Sequence, residues 1–266
     1  MWRELLKADF GLDLPISGGA GNLETDPIVI ESADPETASF VQMQVVRCIY
    51  LRLAFYWRMY AKEAFQVGAR RLERLTLEVH HSENGELVSE RRCFYFDISA
   101  LGEKTPGTPP CFLRIGEDMA GGFPYEIGWL HFAGMTEYAT PEQGISLAYG
   151  APAIKATFYF YNGGNPVIDP VNTPELLEHE FKANVEELLS VYPAAKLGPC
   201  KRQSNLIFQG CEIGADYSII MLVACRNLFV KARATINEPK GAAHFDFLMQ
   251  SLNDFAAMFI ADAVKH

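Results

Sequence analysis

Residues 217–236 read YSIIMLVACRNLFVKARATI, and this stretch decides the class of fold. Its first nine residues are almost continuously apolar, which is typical of a central buried β-strand. Arg226-Asn227 then predicts a tight turn. Residues 228–236 alternate in polarity, which puts four side chains on one face of a second strand, namely Phe229, Lys231, Arg233 and Thr235. Two strands joined by so short a turn are expected to pair antiparallel.

The segments around this pair predict more strands and two helices. Further strands are predicted at 125–132, 145–149, 154–161 and 205–213. A helix is predicted over 174–192, with Thr173 as its cap, because apolar residues recur there at helical spacing: Leu177, Phe181, Val185, Leu188 and Tyr192. A closing helix is predicted over 243–264. Strands joined by turns, with helices between the groups, indicate an antiparallel sheet packed by helices.

The first half of the chain has a capped helix and a hairpin. Asp34 is a suitable cap and Pro35 suits the first helical position, so a helix is expected to begin there. Two alternating stretches flank an Asn-Gly turn signal and predict a hairpin, with strands at 71–81 and 87–98. Residues 11–31 are expected to be irregular apart from a short strand at 27–30. Residues 51–68 fit either a helix or a strand.

A segment rich in proline and glycine, residues 102–110, is the best linker in the sequence. It predicts an N-terminal α+β subdomain over 1–106, with the hairpin, and a C-terminal α+β subdomain over 107–266. The fold class expected is therefore α+β, with antiparallel sheets, helices packed on one face and two subdomains.

The chain of 266 residues carries a formal net charge of −10. Such a charge argues against binding to nucleic acid or to anionic membranes. The N-terminal residues contain no apolar run of signal-peptide length and the sequence contains none of membrane-spanning length, so we expect a cytoplasmic protein without a membrane span. Residues 1–40 hold eight acidic residues against Arg3 and Lys7. These acids are either solvated surface charges or a surface for a basic partner.

No metal or cofactor site is expected from the sequence. The six cysteines contain no Cys-x-x-Cys pair and are expected to be reduced thiols. His179-Glu180 begins like a zinc-protease helix, but Ala183 stands where the second ligand is needed. The glycines of 18–21 match no phosphate-binding motif and predict a mobile loop. Lys231 and Arg233 can hold an anion, but the solvent side of an outer strand is the simpler interpretation.

No catalytic residue is identified by a motif. Residues 144–148 begin like a serine-hydrolase elbow and fail at Ala148, where glycine is required. An enzyme whose residues meet only in the folded chain stays an alternative. Its candidates are Asp97, Cys111 and His131, and a polar pocket with shifted titratable groups would favour it.

The strongest resemblance lies in residues 122–266. The strand Phe229-Val-Lys-Ala-Arg-Ala-Thr235, followed by Phe247-Leu-Met-Gln-Ser251, resembles the PsbP-like fold, an antiparallel sheet packed by helices. With residues 144–149 and 156–161, it also resembles a group of uncharacterised bacterial proteins. This resemblance implies binding or chaperone roles more often than enzymatic ones.

We therefore expect a non-catalytic protein-binding protein, specifically a bacterial immunity-type inhibitor of a secreted toxin or effector. Its partner would be a protein, and an acidic surface would attract a basic one, such as a basic secreted effector. An effector-associated chaperone is an alternative. A structural subunit of a larger assembly is another, for which the aromatic residues of 53–60 would form an exposed apolar patch.

Overall fold

The computed structural model describes residues 2–83, 86–103, 124–140, 142–165, 167–168, 174–203, 205–225, 227–237 and 242–263. The chain divides into two compact units, Met1–Tyr125 and Glu126–His266. The α+β class, with two largely antiparallel sheets in two subdomains, is confirmed. The boundary predicted at 106/107 lies outside the described residues, as do the Asn84-Gly85 turn, the Thr173 cap and most of the 102–110 linker.

The first unit contains two helices and a five-stranded sheet. In chain order its elements are α1 (Trp2–Phe10), β1 (Ile16–Gly18), β2 (Ile28–Ile30), α2 (Pro35–Leu53), β3 (Tyr56–Val67), β4 (Arg70–Glu83), β5 (Glu86–Asp97) and a 3-10 turn (Ser99–Leu101). The strand order is β1-β2-β5-β4-β3, and only the β2–β5 pair is parallel.

The predicted start of α2 is confirmed in atomic detail. The carboxylate of Asp34 accepts hydrogen bonds from the Thr37 backbone N–H at 2.7 Å and from the Thr37 hydroxyl at 2.6 Å. The helix ends because Ala54 adopts a left-handed conformation, with φ of 56°. This residue settles the ambiguous 51–68 segment, which is helix before Ala54 and strand after it.

Two elements of the first unit were not expected. Helix α1 has no strong cap signal in the sequence. Strand β1 lies in the segment expected to be a loop, and it forms because Ile16 pairs with Ile30 and is buried. The glycines that follow make a tight turn, where the Asp26 carboxylate accepts from the Ala20 backbone N–H at 2.9 Å.

The second unit contains an eight-stranded sheet and two helices. Its elements are β6 (Glu126–Ile127), β7 (Leu130–Glu137), β8 (Ile145–Ala151), β9 (Ile154–Tyr161), α3 (Pro174–Val191), β10 (Lys196–Gln203), β11 (Leu206–Ile213), β12 (Asp216–Cys225), β13 (Leu228–Ile236) and α4 (Ala242–Ala263). The strand order is β10-β11-β12-β13-β9-β8-β7-β6, and every pair is antiparallel.

The two helices of this unit lie on opposite faces of the sheet. Helix α3 packs on the even-numbered residues of β12, such as Leu222, and on Phe229 of β13. Helix α4 places Phe255 against Phe158 of β9 and Phe245 against Tyr217 of β12, which belong to the other face. The expectation of helices on one face is therefore wrong for this unit.

Strand β13 is an interior strand, so the expectation that Lys231 and Arg233 lie on an outer strand is also wrong. The edge strand β10 carries a lysine, a proline and a bulge between Leu197 and Cys200. These features oppose pairing with the strands of another chain. None of the helices that the structure describes is long and apolar enough to cross a membrane.

Candidate functional site

A cleft of about 210 Å³ lies beside α3, on the face of the eight-stranded sheet that α3 partly covers. The residues that line it come from β9, β12, β13, α3 and the segment after β7: Tyr138, Tyr159, Asn184, Glu187, Leu188, Ile220, Lys231 and Arg233. Every one of them belongs to the second unit. This cleft is the candidate site.

The register of the sheet places the polar residues of the cleft in one row. Tyr159 of β9 pairs with Lys231 of β13 on one side and with Ser146 of β8 on the other. Paired residues of antiparallel strands point to the same face, so these side chains meet beside α3. The hydroxyl of Tyr138 donates to the hydroxyl of Ser146, or accepts from it, at 3.2 Å, which holds that tyrosine at the end of the row.

Helix α3 contributes a buried asparagine rather than a purely apolar stripe. Its buried residues are Leu177, Phe181, Asn184 and Leu188, and Val185, expected in the apolar stripe, is partly buried against the same core. The Asn184 amide donates to the hydroxyl of Tyr161 at 3.1 Å and to the Glu180 backbone carbonyl at 2.8 Å. The amide oxygen accepts from Lys231 Nζ at 2.7 Å. Asn184 is therefore the centre of a hydrogen-bonded network between α3 and the sheet.

Lys231 is held firmly within this network. Its ammonium lies 3.6 Å from the Glu187 carboxylate and over the ring of Tyr159, 4.7 Å from the centroid. Only 17% of its side chain is exposed. Burial lowers the pKa of Lys231, and the charges of Glu187 and Glu180 oppose that change.

Arg233 differs from Lys231 because it has no acidic partner among the residues that the structure describes. Its guanidinium lies over the ring of Tyr192, 5.4 Å from the centroid. Within the described part of the chain, no carboxylate lies within salt-bridge distance of it, whereas Arg58, Arg74 and Arg202 each have one. Arg233 is half-buried in the middle of the sheet. Its donors therefore face the cleft without a charge to neutralise them.

The lining residues combine charged and hydrogen-bonding side chains with two apolar ones, Leu188 and Ile220. They include no serine, cysteine, histidine or aspartate, Lys231 and Glu187 are paired with each other, and Tyr138 and Tyr159 supply phenol hydroxyls. Burial raises the pKa of Tyr159 and Tyr161, which makes both hydroxyls weaker acids than usual. A polar cleft whose titratable groups have shifted pKa values is what the enzyme alternative expected.

Asp97 and His131, the two expected enzyme candidates that the structure describes, do not line this cleft. The Asp97 carboxylate accepts from the backbone N–H of Ser99, the first residue of the 3-10 turn in the first unit, at 3.0 Å. His131 is buried on β7 of the second unit, 4.0 Å from Glu126. Cys111 lies outside the described residues, and the five described cysteines are free thiols.

Some of the acidic residues are paired with basic residues within the chain. On α3, Glu178 pairs with Arg202, and Glu186 lies 3.7 Å from Lys182. In the N-terminal region, Asp13 contacts both Arg3 and Lys7. These pairs are exposed, so each stabilises the fold weakly and exchanges readily for another charge.

The aromatic stretch 53–60 does not form a continuous apolar surface. Trp57 is buried, while Tyr60 is exposed and has the guanidinium of Arg91 over its ring, 3.7 Å from the centroid.

We expect Tyr161 to make stability fall at alkaline pH. Burial, reinforced by the hydrogen bond to Glu180, raises the Tyr161 pKa above its unfolded value near 10, so the folded state keeps a proton that the unfolded chain releases. The stabilisation is complete below about pH 10 and is lost above it, by up to about 1 kcal/mol per pH unit. Tyr161→Phe should lack this loss when urea denaturation is compared between about pH 9 and 11. The pKa of Lys231 is shifted in the opposite direction, but Lys231 is present in both proteins, so its contribution is common to the two pH profiles. Parallel pH profiles for the two proteins would contradict the assignment.

Among the described residues, no group of three or more histidine, cysteine or acidic side chains is arranged to hold a metal ion. The alternation of 228–236 was the sequence signal for Lys231 and Arg233, whereas no motif indicated Tyr138 or Tyr159. A scan against protein-family models finds no match, and searches of curated proteins and of solved structures find none either.

Proposed function

We propose that the chain is a non-catalytic binding protein, that its partner is another protein, and that a side chain of this partner enters the cleft beside α3. The observation that carries the proposal is the size and lining of the cleft. Its volume of about 210 Å³ is below the range of about 300–1,000 Å³ typical of pockets for small ligands, so it suits one side chain of a larger partner.

The walls of the cleft are of the kind that anchor protein interfaces. Tyr138, which lines the cleft, and Tyr192, whose ring contacts the half-buried Arg233, are each 38% exposed. Tyrosine and arginine are the residues most often found as binding hot spots, because they combine large contact area with hydrogen bonding.

Inhibition of a secreted toxin in the cytoplasm is the narrower form of this proposal. The net charge of −10 supports it by favouring fast association with a basic protein, and such association should weaken as salt is added.

The experiment compares partner capture by three versions of the full chain. The double variant Tyr138→Ala/Tyr192→Ala removes one tyrosine that lines the cleft and one whose ring lies against Arg233, and Met135→Ala removes a similarly exposed apolar side chain that does neither. Immobilised proteins are incubated with a lysate of the native host, and the captured partner is then purified for affinity measurement. We expect the double variant to bind at least about tenfold more weakly, while Met135→Ala binds like the wild type.

Capture that is equal for all three proteins would overturn the assignment of the cleft, and the absence of any saturable partner would overturn the proposed function. The toxin hypothesis has its own test. The captured partner, expressed alone in a bacterial host, should stop growth, and co-expression of this chain should restore it.

A further inference from the structure

We infer that the cleft beside α3 binds a carboxylate, carried by an aspartate or glutamate side chain of the protein partner, and that Arg233 is the residue that binds it. This inference rests on the proposed function, because it names the group of the partner that enters the cleft.

The first argument is the position of Arg233. The residue lies on interior strand β13, opposite Thr157 of β9 and Ile220 of β12, neither of which is charged. A guanidinium has five N–H donors, and its contact with the Tyr192 ring leaves their edges open. A half-buried arginine without a carboxylate has lost hydration with no ion pair in return, so an incoming carboxylate compensates for that loss.

The second argument is that the ammonium of Lys231 is already engaged within the chain and is not available to bind the partner's carboxylate directly. Its ammonium already donates to Asn184 at 2.7 Å and lies 3.6 Å from Glu187. It adds positive potential to the cleft, while the direct contacts fall to Arg233.

The charge of the lining decides between anions. Two cations, Lys231 and Arg233, and one carboxylate, Glu187, leave a single positive charge among the lining residues. One negative charge balances it, whereas a phosphate group, with two, would leave an excess negative charge beside Glu187. The cleft therefore favours a carboxylate over a phosphate.

The apolar part of the lining suits the stem of an acidic side chain. Leu188 of α3 and Ile220 of β12 line the cleft together with the ring of Tyr159. Methylene groups pack against such surfaces, and the carboxylate then reaches the planar guanidinium with the geometry that favours two parallel hydrogen bonds.

The test uses small probes and the full-length chain. N-acetyl-glutamate N-methylamide is titrated while the Arg233 side-chain NMR signal is observed, and the uncharged isostere N-acetyl-glutamine N-methylamide is titrated in parallel. Inorganic phosphate is the third probe. We expect the glutamate probe to shift the Arg233 signal in a saturable way and to bind at least about tenfold more tightly than the glutamine probe.

Variants of Arg233 separate the contribution of its positive charge from that of its planar guanidinium. Arg233→Gln should weaken binding of the glutamate probe at least about tenfold, and Arg233→Lys should recover part of it, because the charge returns without the planar fork. Binding by these variants is followed through the signals of Tyr159 and Lys231. Arg202→Gln is the matched control, since Arg202 is an arginine of the same sheet that pairs with Glu178 outside the cleft. Thermal unfolding of each variant establishes that it is folded. If Arg233→Gln does not fold, the affinity of Arg233→Lys for the glutamate probe alone tests the inference.

Equal binding of the two amino-acid probes, tighter binding of phosphate, no shift of the Arg233 signal, or unchanged affinity in both Arg233 variants would each overturn the inference. The proposed function survives if the Tyr138/Tyr192 double variant loses the partner while the Arg233 variants retain it. Conversely, binding of the glutamate probe through Arg233 without any captured protein would leave the carboxylate site standing and refute the protein partner.

Discussion

Phe255→Ala is expected to lower the free energy of unfolding by about 3–5 kcal/mol, the usual cost of removing a fully buried phenylalanine ring. Phe255 of α4 is completely buried, and its ring stacks on that of Phe158 with centroids 3.9 Å apart. The ring of Phe160 meets it edge-on at 6.4 Å. Truncation removes this apolar contact and leaves a cavity between α4 and β9, since strands paired on both sides cannot move inward to fill it.

Phe245→Ala is the matched control, because Phe245 lies on the same helix and is only partly buried, against the ring of Tyr217 at 4.9 Å. The control should lose about 1–2 kcal/mol in urea denaturation followed by circular dichroism. Since α4 lies on the face opposite the cleft, Phe255→Ala should leave the affinity of the folded protein for its partner unchanged. Equal stability losses for the two variants would show that α4 does not pack as described.

Gly144→Ala is the second large effect, with an expected loss of about 3–5 kcal/mol. Gly144 has a left-handed backbone, with φ of 64°, and a Cβ there would overlap the carbonyl oxygen of Phe160 in β9. That oxygen belongs to the backbone of an interior strand and cannot rotate away. The Gly144 carbonyl also accepts from the backbone N–H of Tyr138 at 3.0 Å, so the substitution should displace a wall of the cleft as well.

Gly214→Ala separates the cost of a left-handed backbone from the cost of the overlap with the Phe160 carbonyl oxygen. Gly214 has a similar φ of 63° in the turn between β11 and β12, and a Cβ there would meet no atom within 4 Å. This variant should lose only the cost of the left-handed backbone, about 1–2 kcal/mol. The difference between the two glycine variants in urea denaturation measures the overlap with Phe160. If both variants lose the same amount, the close approach of Gly144 to β9 is wrong.

Sequence patterns located most of the regular elements because their signals are local. The strand 228–236 was predicted with the bounds it has, and 154–161 likewise, because alternation and β-branched or aromatic composition depend on the segment alone. The α2 cap is equally local, since Asp34 and Thr37 are three residues apart. Strand β1 was missed because its three residues acquire a strand conformation only by pairing with β2.

The candidate site was predictable only in part. The alternation in 228–236 predicted that Lys231 and Arg233 lie on one face of a strand, and the structure confirms this. It could not show which strands flank β13, because pairing between residues 229–236 and 154–161 joins segments far apart in the chain. The buried role of Asn184 also escaped, since an asparagine within a helix is usually solvent-facing and its partner Lys231 comes 47 residues later.

By itself, then, the sequence determined the class of fold, the bounds of its clearest strands and helices, and the common face of Lys231 and Arg233, because each depends on spacing within one segment. The tertiary structure alone decided that β13 is an interior strand and that α3 and α4 take opposite faces of the sheet. It also decided that Lys231 is paired with α3 while Arg233 is left without a carboxylate in the part of the chain described. Such differences arise from which distant segments pack together, and the electrostatic environment of a side chain follows from that packing.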